Sequence, residues 1–333
     1  MSNTCQARQI YEKAIAIDAL NVSNWNSPAV YQSLRASGIT AINATSAVWD
    51  NYREGLDQVA AWQHRFSQYS DILVPIKTTQ DILQAKEDHK VGIIIGWQNA
   101  SPIENDLKRL ALFHQLGLRI VQITYNERNL LGNGCYERRD EGLSHFGIDA
   151  IHEMNRLGIL IDLSHVGDRT TLEAIEVSEK PVAFTHANAR AHFDHVRNKT
   201  DEALKKLAAR GGVVGANAFP AFFPRLFDST LADYADAIDD LVERLGIDHV
   251  GIGTDYTQDQ PQAFFDRLYA RQGTGDQKAP LVFPDPMRHP QDMETPDKFS
   301  HIAVELCKRG YSDEDTGKIL GGNWLRLFQK VWQ

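Results

Sequence analysis

The sequence predicts an α/β protein, a (β/α)8 barrel with a C-terminal helical extension. Three observations predict it: eight short apolar runs recur along 333 residues, helical patterns separate them, and no glycine-rich phosphate loop follows an early run. Eight is the number of parallel strands that closes a TIM barrel. The rival architecture, a doubly wound open sheet, would carry GxGxxG or GxxxxGKS/T after an early strand, and neither occurs.

The runs are AIAIDAL (14–20), GITAINAT (38–45), VGIIIGW (91–97), LRIVQITY (118–125), LGILIDLSH (157–165), KPVAFTH (180–186), GGVVGANAF (211–219) and DHVGIGTDY (248–256). Several are apolar over nearly their whole length, as strands buried on both faces are. Helices are expected at 55–69, 104–116, 144–157, 169–178, 200–210 and 230–245. Many end in glycine just before the next strand (QLGLRI, RLGILI, RGGVVG), the usual helix stop, and Ser144 and Thr200 suit the N-cap. One barrel domain over 1–333 is expected, with strand ends near 20, 45, 97, 125, 165, 186, 219 and 256. A long loop at 273–297 and helices at 298–332 complete it.

Composition narrows the function. The hydrophobic fraction of 42% suffices for a large core, and a net charge of −9 disfavours nucleic acid and anionic membranes as partners. Cys5, Cys135 and Cys307 are too sparse for a disulfide framework. The polar N-terminus has no apolar signal core, and no run approaches the roughly 18 residues of a membrane span. A reducing cytoplasm is the expected home.

In such barrels chemistry sits where strands end. His165 and His186 each end an apolar strand, and the strands are consecutive, so the imidazoles should be neighbours. Two imidazoles with a carboxylate are a common cradle for Zn²⁺ or Fe²⁺. Asp255 ends the last strand, as a ligand or as a general base. Any single histidine there more often caps a strand; the pair with Asp255 is what points to metal chemistry. Asp18, Asn21 and Asp162 also lie near strand ends, where structural hydrogen bonding is the commoner role. Asp162 is expected to buttress a ligand. Loop 129–147 is expected to fold over the mouth and bring Cys135, Tyr136 or Arg138 to the substrate. Trp25, Trp49, Tyr52 and Trp97 are candidates for an apolar or cation-binding wall, although such residues usually pack. His152 reads as structural.

The blocks GLSHFGIDAIHEMNRLGILIDLSHVGDRT, KPVAFTHANA, HVRNKTD, GGVVGANAF, HVGIGTDYT and GGNWLRLFQKVW resemble the renal (membrane) dipeptidase family of zinc peptidases, from about residue 14 to the C-terminus. The resemblance implies a TIM-like barrel, a two-zinc site, and cleavage of dipeptides, including those with a C-terminal D-residue. It implies His165 and His186 as ligands of one zinc, Asp255 as the acid/base, and Arg197 as the grip on a substrate carboxylate, a task its bidentate fork suits. It also implies a homodimer.

The sequence departs from the family at three strand ends. A His-x-Asp pair is replaced by Leu20 and Val22, the glutamate bridging the metals by Gln98, and a substrate-binding histidine by Tyr125. A neutral amide brings no charge to offset two cations. The expected site therefore holds one ion rather than two: zinc, with iron or another divalent metal as alternatives, on His165, His186 and Gln98. Arg197, Tyr125, Asn126 and Asn21 would contact a small dipeptide-like substrate bearing a carboxylate. Different C–N cleaving or lyase chemistry on a modified amino acid, and a metal-free binding protein, stay open as alternatives.

Overall fold

The computed structural model describes residues 3–274, 282–284 and 287–332. The centre of the loop expected at 273–297 lies outside the described residues.

Nine strands run parallel: β1 Ile17–Asn21, β2 Ala41–Ala47, β3 Leu73–Pro75, β4 Val91–Trp97, β5 Leu118–Gln122, β6 Leu160–Asp162, β7 Ala183–Phe184, β8 Val213–Asn217 and β9 Val250–Gly253. Eight close a barrel, β1 pairing with both β2 and β9 and β2 pairing onward with β4. β3 stands outside this ring. It takes the first half of one edge of β4 (Leu73 opposite Val91, Pro75 opposite Ile93), and β5 takes the second half (Ile95 opposite Leu118, Trp97 opposite Val121).

All residues of β1, β2, β4 and β5 are buried, since helices cover one face and the barrel interior the other. The covering helices include Tyr52–Gln68, Lys108–Gln115, His145–Leu157, Asp168–Val177, Asp201–Ala209 and Leu231–Leu245. Ser144 and Thr200 cap theirs, accepting the Gly147 and Ala203 N–H groups. Gly158 stops the third at φ 75° and turns the chain into β6. Additional helices at Asn3–Lys13, Pro28–Ser37, Thr79–Glu87 and Gln262–Tyr269 were not anticipated.

The two ends of the barrel are closed differently. At the N-terminal end, helix Asn323–Val331 buries Trp324, Leu327, Phe328 and Val331 against Ile17, Ile94 and Leu160. At the opposite end, Phe219, Phe222, Phe265, Phe283 and Met287 form a separate apolar cap beside the strand ends. Among the described residues no helix is long and apolar enough to cross a membrane.

Candidate active site

The β6 and β7 strand ends carry a histidine each, and the chain beyond them fixes how each ring sits. His165 Nδ1 lies 2.7 Å from Asn126 Oδ1 and donates to it. His186 Nδ1 lies 2.8 Å from Thr185 Oγ1, whose own hydroxyl donates to Asp162 Oδ2 at 2.6 Å. Asp162 is saturated besides by the Thr185 N–H, the Ser164 N–H and the Ser164 hydroxyl. The threonine proton being committed to the carboxylate, His186 Nδ1 must carry the hydrogen. Both rings are therefore Nδ1–H tautomers with Nε2 lone pairs free, and those two nitrogens face each other at 3.0 Å. Burial, and then the Arg197 charge, holds both well below the usual imidazole range, so both are neutral at neutral pH.

Two lone pairs at that distance repel unless a cation lies between them. Nitrogens each about 2.0–2.1 Å from one ion can stand 3.0 Å apart, so the pair fits a divalent metal. Among the described residues no three His, Cys, Asp or Glu side chains converge as a complete ligand set, so the imidazole pair is the nucleus of a centre rather than the whole of it.

His165 opens onto a cavity that Gln98, Tyr125, Asn126, Arg197 and Asp255 also line. Asp255 and Asn126 both hold left-handed backbone, φ 59° and 58°, a conformation that Asp and Asn tolerate better than other non-glycine residues and that turns their side chains at the strand ends. Asp255 Oδ2 accepts from Asn217 Nδ2 at 3.3 Å. Burial pushes its pKa up to about 6, against the opposing pull of Arg197 and of the Asn217 bond. Arg197 is 1% exposed; it donates to Ser164 O at 2.7 Å and His186 O at 2.9 Å, and its Nε has no partner. Gln98 donates Nε2 to Thr45 Oγ1 at 3.0 Å, which leaves its carbonyl oxygen as the free end. Tyr125 stacks on His165, ring centroids 4.1 Å apart, and burial holds its hydroxyl protonated, well above the ordinary phenol value.

Several expected residues lie elsewhere. Asn21 does not line the cavity: its amide is turned to Asp18 Oδ2 at 3.5 Å and to the Ser23 N–H at 3.1 Å, so it shapes the turn after β1. Asp18 accepts from the Thr254 N–H and hydroxyl at 2.8 and 2.7 Å. The Cys135 thiol sits 3.9 Å from Asn126 Oδ1, and burial raises its pKa, so it is held as a thiol. Arg138 is exposed and outside the cavity. Tyr52 and Trp97 both pack on Phe113, away from the mouth.

Sequence reasoning missed most of the cavity roof. Phe219 and Phe222 follow β8, while Phe265, Leu268 and Tyr269 come from helix Gln262–Tyr269. The apolar spacing in QAFFDRLY was the available signal. The cavity offers about 30 Å³ to water-sized occupants, room for about two waters.

A parallel barrel whose strand ends bring imidazoles, a carboxylate and an arginine together has the architecture of a metal-dependent hydrolase. The chain belongs to the membrane dipeptidase family, peptidase family M19, whose model matches residues 6–270. It is 33% identical over 287 residues to an uncharacterized dipeptidase of Schizosaccharomyces pombe, covering 84% of this chain and 62% of that protein. To the dipeptidase tcpJ of Claviceps purpurea it is 28% identical over 286 residues, covering 84% of this chain and 60% of that one. The chain thus spans under two thirds of the length of these two relatives. Among solved structures, an amidohydrolase from Pseudomonas aeruginosa superposes with a TM-score of 0.93 at 38% identity, covering 98% of this chain and 99% of the other.

Proposed function

We propose that this chain is a metal-dependent hydrolase of small dipeptide-like amides, working with one divalent ion, zinc in preference to iron, at His165 and His186. The observation that carries the reading is the convergence of two Nε2 lone pairs with both Nδ1 hydrogens tied off. The oxygen of Gln98 or the Asp255 carboxylate would complete the ligands, while Leu20 and Val22, at the end of β1, offer no side-chain donor for a second ion. When bound, the ion supplies positive charge that polarises the amide carbonyl and acidifies water in the cavity.

The chain's own groups do the rest. Asp255, held by Asn217, takes the proton from the attacking water and returns it to the leaving amine. The unpartnered Arg197 Nε–H holds the substrate carboxylate from the side of the histidines. The Tyr125 hydroxyl donates to the substrate, a task that fits its raised pKa. Phe219, Phe222, Phe265 and Leu268 exclude bulk water. A dipeptide exceeds the cavity's volume, so lining side chains such as Tyr136 and Tyr269 would shift to admit it.

The test is metal content by elemental mass spectrometry alongside hydrolysis of L,D-dipeptides. About one equivalent of metal, lost in His165→Ala together with turnover, is the expected outcome. Protein that takes up no metal on incubation with zinc or iron overturns the proposal.

A further inference from the structure

Beside the catalytic cavity lies a second chamber of about 310 Å³, reached past the ends of β1 and β2. The two share Val22 and Leu268 as a common wall, and the chamber is the roomier by an order of magnitude. Its lining is charged. Arg65 enters from helix Tyr52–Gln68; its Nε donates to Trp25 O at 3.2 Å and its Nη2 to Asn26 Oδ1 at 3.1 Å, while Nη1 is buried without an acceptor. Arg267, from helix Gln262–Tyr269, has no hydrogen-bond or ion-pair partner for its guanidinium among the described residues. The single carboxylate in the lining, Asp50, accepts the Val48 N–H at 2.9 Å and pairs with neither arginine. Two guanidiniums against one engaged carboxylate make the chamber positive, in a chain whose net charge is −9. Trp25 and Trp49 supply flat walls.

We propose that this chamber is a subsite for an anionic group at the end of the substrate remote from Arg197, so that the preferred substrate is a small dianion: a dipeptide or N-acyl amino acid whose acyl part ends in a carboxylate. The inference rests on the amidase reading above. Arg197 approaches from β6 and β7, where it holds Ser164 O and His186 O, whereas Val22 follows β1 on the far side of the barrel mouth. A substrate with its α-carboxylate at Arg197 therefore runs across the mouth towards Val22 and Leu268. The Val22 and Leu268 side chains that separate cavity and chamber are aliphatic and suited to pack against the methylenes of a glutamyl or succinyl group that reaches past them, and beyond them the guanidinium fork of Arg267 matches a carboxylate.

The experiment compares Glu-D-Ala with Gln-D-Ala, equal in shape and different in charge, on the metal-loaded full chain. The expected preference for Glu-D-Ala in kcat/KM is about tenfold or more, expressed in KM, as one charge-assisted hydrogen-bonded contact confers. Arg267→Gln should bring the ratio to within about twofold of unity, whereas a variant that merely loosens the fold lowers both rates and keeps the ratio. Hydrolysis of both dipeptides at equal rates by the unmutated chain, or a preference that survives both Arg267→Gln and Arg65→Gln, overturns the subsite and leaves the amidase reading standing. A second arm needs no turnover. Titration of the chain's tryptophan fluorescence with glutarate and with the uncharged diamide of glutaric acid should show saturable quenching by the diacid alone, through Trp25 and Trp49, that Arg267→Gln abolishes. Should neither dipeptide be cleaved, that signal still supports the subsite while the amidase reading fails; no saturable response to glutarate overturns the subsite directly.

Discussion

Thr185 does two jobs with one hydroxyl, donating to Asp162 and accepting from His186, and the second depends on the first. Thr185→Val keeps the shape and removes the acceptor, which frees the His186 ring to rotate or change tautomer. Metal affinity should fall about ten- to a hundredfold, measured by competition with a chelator; unchanged affinity would show that packing alone orients the ring. Asp255→Asn keeps the bond from Asn217 on its remaining oxygen and removes the base, so kcat should drop by about 10²–10⁴ with the melting temperature little changed. The pH profile carries the same residue. Its pKa is raised by burial to about 6, so the ionised base is lost as pH falls through that region, and kcat/KM should decline below it. A bound cation lowers the limb further, which comparison of loaded protein at different metal occupancies would reveal. His165, His186 and Asp255 were legible as candidates because each stands just beyond a strand end, whereas Arg197, well past the end of β7, was named only through the family resemblance. The roles of Thr185 and Asn126 were not, since a tautomer is fixed by partners that adjoin only in three dimensions.

Strand β9 approaches β7 so closely that a Cβ at Gly253 would run into the Thr185 carbonyl oxygen and crowd the His186 backbone, and Gly215 on β8 meets the same carbonyl. These two glycines thin one layer of the barrel and let the end of β7 bend inward, which carries His186 to His165. Gly253→Ala should therefore cost about 1–3 kcal/mol or more in stability and, at temperatures where the variant is folded, weaken metal binding. Gly317→Ala is the matched control: nothing lies within 4 Å of its would-be Cβ, it sits in a helix, and alanine there should stabilise by about 0.5–1 kcal/mol. Thermal denaturation with a metal titration separates the two; equal effects would mean that the close approach of β9 and β7 is not what aims His186. At this scale the buried strands were readable because burial on both faces makes them uniformly apolar. β3 escaped because it has three residues, one of them proline, and only Leu73 is buried. Helix Gln262–Tyr269 escaped because one buried phenylalanine and short length give a weak period, although it roofs the cavity.

A closed barrel must join its first strand to its last: β1 and β9 pair at Asp18 opposite Ile252, and the seam continues past the strands at Asn21 opposite Tyr256, with the Asp255 N–H donating to Leu20 O at 3.0 Å and the Val22 N–H to Tyr256 O at 2.8 Å. Side chains reinforce it. Asp18, fully buried, accepts the Thr254 N–H and hydroxyl across the seam, and on the N-terminal side Trp324 and Asn323 of the last helix donate to Ile252 O and Val250 O. Burial outweighs the hydrogen bonds to its carboxylate and raises the Asp18 pKa to about 7, against 3.8 for an unperturbed carboxyl. The sign follows from linkage. With the folded value above the unfolded one, the unfolded chain releases this proton first, so the contribution to stability is complete below about 4 and is lost as pH rises through about 7. The whole barrel should therefore melt at lower temperature at pH 8 than at pH 5, with up to about 1.4 kcal/mol lost per pH unit from this one group. General repulsion in a chain of charge −9 acts in the same direction, so the decisive comparison is with Asp18→Asn. That variant has no proton to lose. It should start less stable at pH 5, where its amide cannot accept every bond offered, and then lose less than the unmutated chain on going to pH 8. Parallel melting profiles for the two would mean that Asp18 plays no such part and leave the closure of the barrel to the backbone hydrogen bonds of the seam and the C-terminal helix.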